Sequence, residues 1–102
     1  MEPEKSWETK AAVVKALAHS TRLLILDELK EKPRSVGWLA DEAGCDISTM
    51  SGHLSVLKQQ NIVSGEKEGT TIHYQLEIPC IFDFFDCIDE VIDSRMEKSH
   101  GH

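Results

Sequence analysis

The chain has 102 residues, 40% of them hydrophobic and 28% charged, and carries a formal net charge of −7. That length fits one domain of ordinary size and leaves no room for a second. Three cysteines are too few and too scattered for the disulfide framework of a small secreted protein, no run reaches the roughly 18 apolar residues of a membrane span, and the opening MEPEKSWETK is no signal peptide.

A cytoplasmic protein with reduced thiols is therefore expected. Trp7, Ala11, Val14, Leu17 and Ala18 recur at helical spacing and predict a first amphipathic helix ending near His19. Ser20 is the expected cap of a second helix through Leu23, Leu24, Ile25, Leu26 and Leu29, which Pro33 stops. Ser35 can cap a short third helix through Val36, Trp38, Leu39 and Ala43, after which Gly44 supplies a turn. Asp46 caps a fourth, with Met50, Leu54 and Leu57 on one face and Ser48, Thr49, Ser51, Gly52 and Ser55 on the others.

After Asn61 the pattern changes to two β-prone runs, Ile62 to Ser64 and Thr71 to Leu76, joined by a polar stretch bounded by glycine, which predicts a hairpin. Pro79 opens a fifth helix to about Glu97. The fold class is thus mainly α with a small β-hairpin: a winged helix-turn-helix of about five helices and a two-stranded wing, in one domain over 1–97, with a flexible tail at 98–102.

The segments KALAHSTRLLILDEL (Lys15 to Leu29), LADEAGCDISTMSGHLSVLKQQNIV (Leu39 to Val63) and EGTTIHYQL (Glu68 to Leu76) resemble the ArsR/SmtB family of bacterial transcriptional repressors. Ala18, Thr21, Arg22 and Leu23 match the start of one family motif, and Ser51, His53, Leu54 and Leu57 match its recognition helix. The resemblance implies a homodimer joined through its terminal helices and bound to double-stranded operator DNA. It also implies release from that DNA when a metal ion, arsenite or an oxidant reaches cysteines or histidines.

In a helix-turn-helix the second helix enters the major groove, where side chains near its N-terminal end meet base edges. Ile47, Ser48, Thr49, Ser51, Gly52 and His53 are the candidates, with Lys58 and Lys67 for phosphates and Lys32 and Arg34 beside them. Taken singly, each lysine also fits a solvated surface charge. His53 can read a base or hydrogen-bond within the domain, and Cys45 fits buried packing in the turn. Gly52 and the wing sequence SGEKEGTT, with Glu66 and Glu68 around Lys67, depart from the family pattern, which predicts weak phosphate attraction through the wing.

Most of the net charge comes from the fifth helix, where Arg95 stands against Asp83, Asp86, Asp89, Glu90, Asp93 and Glu97. Steps of 100° place Cys80, Phe84, Cys87 and Val91 on one stripe and Ile81, Phe85, Ile88 and Ile92 on another. One stripe can cover the chain's own core and leave the other for a twofold mate, with Phe84 and Val91 at the interface. Seven residues of helix rise about 10.5 Å, too far for Cys80 and Cys87 of one chain to share an ion or a disulfide.

Across a dimer those thiols can hold arsenite, antimonite or a soft divalent metal ion, form disulfides with an oxidant, or merely pack. No nucleophile with an adjacent base is apparent, so an enzyme is not expected. The alternative to a repressor is a winged-helix protein-interaction module with weakened DNA binding.

Overall fold

The computed structural model describes residues 6–100. Helix α1 (Trp7–Leu17) starts at Ser6, whose side chain accepts the Thr9 N–H, and α2 (Ser20–Glu28) follows after a tight corner. The α2 cap is His19 rather than Ser20: its imidazole Nδ1 accepts the Thr21 N–H at 3.1 Å, and Ser20 is already helical. Strand β1 (Arg34–Ser35) and α3 (Val36–Ala43) come next, with the Ser35 hydroxyl accepting the Trp38 N–H as the sequence predicts.

The turn between α3 and α4 (Ile47–Gln59) is a Schellman motif, with Gly44 at φ 71°, its N–H on Asp41 O, and the Cys45 N–H on Ala40 O. That motif carries an apolar side chain just after its left-handed residue, packed back on the helix. Cys45 fills this place and packs against the core, so its thiol serves packing. Helix α4 ends the same way: Asn61 adopts φ 58° and the N–H of the buried Ile62 returns to Leu57 O.

Strands β2 (Val63–Glu68) and β3 (Thr71–Leu76) form the expected hairpin, with Gly69 at φ 65° in its turn. The sheet has a third strand that the sequence did not announce, because Arg34 and Ser35 pair antiparallel with Tyr74 and His73 in the order β1-β3-β2. Two residues carry no strand signature of their own. Pairing with the free edge of β3 decides their conformation.

The core is one cluster at the crossing of α1 to α4 with the base of the hairpin. Ile25 and Leu26 of α2, Leu39 of α3, Met50, Leu54 and Leu57 of α4, and Ile62 and Val63 at the hairpin's base are all almost fully buried. Helix α5 (Ile81–His100) starts after a turn at Pro79 and Cys80 and runs beyond the expected boundary at Glu97; Gly101 and His102 of the expected tail lie outside the described residues. Among the described residues it meets the core near its start, through Ile81 and Phe85.

The consequence is an extended molecule. Its radius of gyration is 16.0 Å, where a compact chain of this length has about 13 Å. It exposes 7314 Å², against roughly 5800 Å² for a compact monomer of its mass.

Gly52 sits in the middle of α4, and a Cβ there would meet nothing within 4 Å. No packing requirement keeps a glycine at this place, and glycine costs a helix interior about 1 kcal/mol relative to alanine. Gly52→Ala is therefore expected to raise the unfolding free energy by about 1 kcal/mol in a urea titration, with an unchanged m-value.

Candidate nucleic-acid interface

Helix α4 has two sharply different sides. Met50, Leu54 and Leu57 are wholly buried, while Ser48, Gly52, Ser55 and Gln59, recurring at four, three and four, are exposed on the other side. Ile47, Thr49, Ser51 and Lys58 flank that exposed stripe. The result is a convex surface of small hydroxyl-bearing groups, held rigidly because its back is locked in the core.

Asp46 begins the helix and accepts the Thr49 N–H at 2.7 Å. Hydrogen bonds from the Thr49 backbone, and then from its side chain, hold the Asp46 carboxyl below its ordinary range. The carboxylate at the mouth of the helix is thus fixed on α4's own first turn, where the positive end of the helix dipole favours it.

His53 does not stand with the base-facing candidates. It lies about 60° around the helix from Met50, at the border of the buried stripe. Its Nδ1 accepts the Arg22 Nε–H at 3.2 Å, and its ring lies 4.5 Å from that of His19. Of the two readings the sequence left open, the hydrogen bond within the domain is the one the structure has. Arg34 is likewise engaged inside the domain: it stacks 3.9 Å over the Trp38 ring and donates Nε–H to Glu28 O at 3.3 Å.

The wing looks different in three dimensions from its composition. Side chains alternate between the two faces of a strand. The register pairs Lys67 with Ile72 and Gly65 with Tyr74 on one face, and Glu66 with His73 and Glu68 with Thr71 on the other. Ile72 and Tyr74, with Thr70 and Thr71 at the hairpin turn, border a groove of about 440 Å³ whose other walls are Ser35, Val36, Gly37 and Ser51. Lys67 belongs to the face turned toward the recognition helix, whereas Glu66 and Glu68 line a separate concavity with Pro33, His73 and Gln75.

That first groove, with the hydroxyls of Ser35, Ser51, Thr70 and Thr71 and the N-terminus of α3 around it, offers neutral donors of the kind that fix phosphates. Thr70, Thr71 and Ser35 were not among the sequence candidates. The cap at Ser35 was visible, but its closeness to the wing depends on β1.

The terminal helix follows its two predicted stripes only in its first turns: Ile88 and Ile92, expected on the core-facing stripe, are exposed because the helix has left the core by then. Ile81 and Phe85 turn inward, and Phe82 stacks edge-on against Phe85 with the Lys30 ammonium 4.7 Å from its ring centre. Phe84 and Val91 stand 52% and 60% exposed, Ile88, Ile92 and Met96 are also exposed, and Cys80 and Cys87 are free exposed thiols. A shallow apolar groove of about 260 Å³ runs beside Phe84 between Val14, Leu17, Ala18, Leu23 and Ile88. Among the described residues no three His, Cys, Asp or Glu side chains lie close enough to hold a metal ion, and no helix is long and apolar enough to cross a membrane.

Comparison with known proteins agrees with this architecture. Residues 19–64 match the family described as bacterial regulatory protein, arsR family. Nodulation protein NolR of Rhizobium meliloti is 35% identical over 91 residues, covering 87% of this chain and 75% of NolR. The transcriptional activator HlyU of Vibrio cholerae is 35% identical over 75 residues, covering 74% of this chain and 69% of HlyU.

Among solved structures, the homodimeric winged helix-turn-helix DNA-binding domain of Mb0332 from Mycobacterium bovis matches with a TM-score of 0.77 at 32% identity. It covers 100% of this chain and 96% of that domain. A fully buried stripe behind an exposed hydroxyl-rich helix, a hairpin wing beside it and these relatives lead to one conclusion: the chain belongs to the ArsR family of bacterial transcriptional regulators, DNA-binding winged-helix proteins rather than enzymes.

Proposed function

We propose that the chain works in the cytoplasm as a homodimeric repressor that binds a twofold operator in double-stranded DNA and lets go when an inducer reaches the thiols of α5. The observation that carries the DNA reading is the outer side of α4. Ser48, Thr49, Ser51 and Gly52 near its N-terminal end form a projecting surface small enough to lie close against base edges, with Ile47 beside them for a thymine methyl. Lys58 and Lys67 flank that surface as phosphate contacts.

Replacing Lys58 or Lys67 with Gln is expected to weaken binding to specific and random duplexes alike and to lower the salt slope of log K by about one for each contact removed. Fluorescence anisotropy from 50 to 300 mM salt measures this. An unchanged slope in both variants assigns these lysines to solvent instead.

The homodimer follows from what α5 leaves uncovered. A chain of this size that exposes Phe84 and Val91 on one side of α5, with the Val14 groove beside Phe84, is suited to bury that apolar face against a second copy. The homodimeric state in the description of the Mb0332 domain supports the same arrangement. Phe84→Glu should place a charge in that face and shift sedimentation toward monomer at micromolar concentration, with operator affinity falling at least tenfold as the two recognition helices lose their common frame.

Cys80 and Cys87 are both exposed; Cys87 lies on the stripe of Phe84 and Val91, and Cys80 stands in the turn just before that stripe begins. Since among the described residues one chain brings no three ligands together, a soft ion, arsenite or antimonite would be held by thiolates from both copies, each thiol giving up its proton. An oxidant acting instead would take two electrons and two protons from two thiols to leave one disulfide. Either event favours release only if it binds or locks a dimer geometry that DNA does not.

A promoter-binding titration of the reduced dimer with arsenite, antimonite, cadmium, zinc and a disulfide oxidant checks this. At least one inducer should release wild type and fail on Cys80→Ser or Cys87→Ser. Equal responses from all three proteins would leave the thiols a packing role.

A further inference from the structure

Arg22 occupies a junction that DNA contact does not explain. Its Nη1–H donates to Ala16 O in the last turn of α1 at 3.3 Å, and its Nε–H donates to His53 Nδ1 in the middle of the recognition helix at 3.2 Å. The His53 ring lies 4.5 Å from that of His19 at an interplanar angle of 52°, and His19 Nδ1 in turn accepts the Thr21 N–H that begins α2. One guanidinium and two imidazoles therefore join the end of α1, the start of α2 and the centre of α4.

Both imidazoles act as acceptors at Nδ1, so each carries its single proton on Nε2. We infer that Arg22, His53 and His19 are positioning residues that fix the recognition helix against the α1–α2 corner, and that they do so only while His53 is neutral. A second proton on His53 would place an N–H donor against the Arg22 N–H and a cation beside a guanidinium.

The groups acting on His53 are Arg22 from α2 and His19 from the corner, both positive when charged; α1 contributes the Ala16 carbonyl through Arg22, and Gly52 and Leu54 beside it on α4 carry no charge. Partial burial, then His19, then Arg22, hold the imidazolium of His53 below its ordinary range near 6.5. The neutral form is thus the folded form. Its contribution is complete above about pH 6.5 and is lost as pH falls from there through the lowered value.

This inference rests on the DNA reading of α4, and its test separates the two. Anisotropy of a labelled promoter fragment would be followed at pH 7.5, 6.5 and 5.5 and constant ionic strength, for wild type, His53→Asn, His19→Asn and the double variant, since Asn keeps an acceptor near Nδ1 but does not titrate. Wild type should bind at pH 7.5 and lose at least tenfold in affinity by pH 5.5. The double variant should bind within about threefold of wild type at pH 7.5 and lose less than threefold at pH 5.5.

The direction is diagnostic, because added positive charge on other histidines strengthens attraction to phosphates and pushes affinity the other way. If wild type and the double variant lose affinity in parallel, or wild type loses none, the positioning role is overturned. Absence of specific binding by wild type at pH 7.5 would instead refute the DNA reading itself. Should the double variant fail to fold, NMR titration of the His53 ring in the wild-type dimer replaces it: the midpoint of imidazole protonation must coincide with shifts along α4 and with the affinity loss, and a noncoincident midpoint refutes the inference.

Discussion

Met50, Leu54 and Leu57, the apolar stripe of α4, have no exposed surface at all, and the rest of the molecule is arranged around that burial. Three fully buried side chains of this kind contribute about 1.5–3 kcal/mol each, enough to fix both the depth and the rotation of a helix of 13 residues. Rotation is the functional quantity. Once the stripe faces inward, Ser48, Gly52, Ser55 and Gln59 have to face outward, and a slip of one residue would turn them by 100°. The Asp46 cap and the Schellman closures at Gly44 and Asn61 set where that helix begins and ends.

Much of this was legible in the sequence because the signals are local. Ser35, Gly44 and Asp46 announce caps and a turn, and the spacing of Met50, Leu54 and Leu57 announces the buried face. The two stripes of α5 separated as expected only near its start, with Ile81 and Phe85 inward and Phe84 outward; farther on Ile88 and Ile92 of the inward stripe are exposed as Val91 is. What escaped depends on partners distant in the chain. Strand β1 exists because β3 offers an edge to Arg34 and Ser35, and the His53 ring is held within the domain because Arg22, 31 residues earlier, supplies a donor. A helical-wheel angle already placed His53 at the border of the core, but only the donor decides which way such a ring turns.

The wing shows what geometry adds to composition. Its carboxylates predicted weak phosphate attraction, and the register assigns Glu66 and Glu68 to one face and Lys67 to the other. The Lys67 face continues to Ile72 and Tyr74 beside the recognition helix. Net charge is a poor guide for this chain, since most of the excess acid lies on α5, which leaves the core after Phe85. An ArsR-family regulator can therefore be acidic overall and still present an uncharged, hydroxyl-rich surface to a duplex.

The central claim is that two such surfaces, held in one dimer, read two successive major grooves. Hydroxyl-radical footprinting of the reduced protein on the DNA upstream of its own gene tests it most directly. The account predicts two protected patches related by a twofold axis and spaced by about 10–10.5 base pairs or a multiple of it. A single patch, or uniform protection that competitor DNA removes, would contradict it.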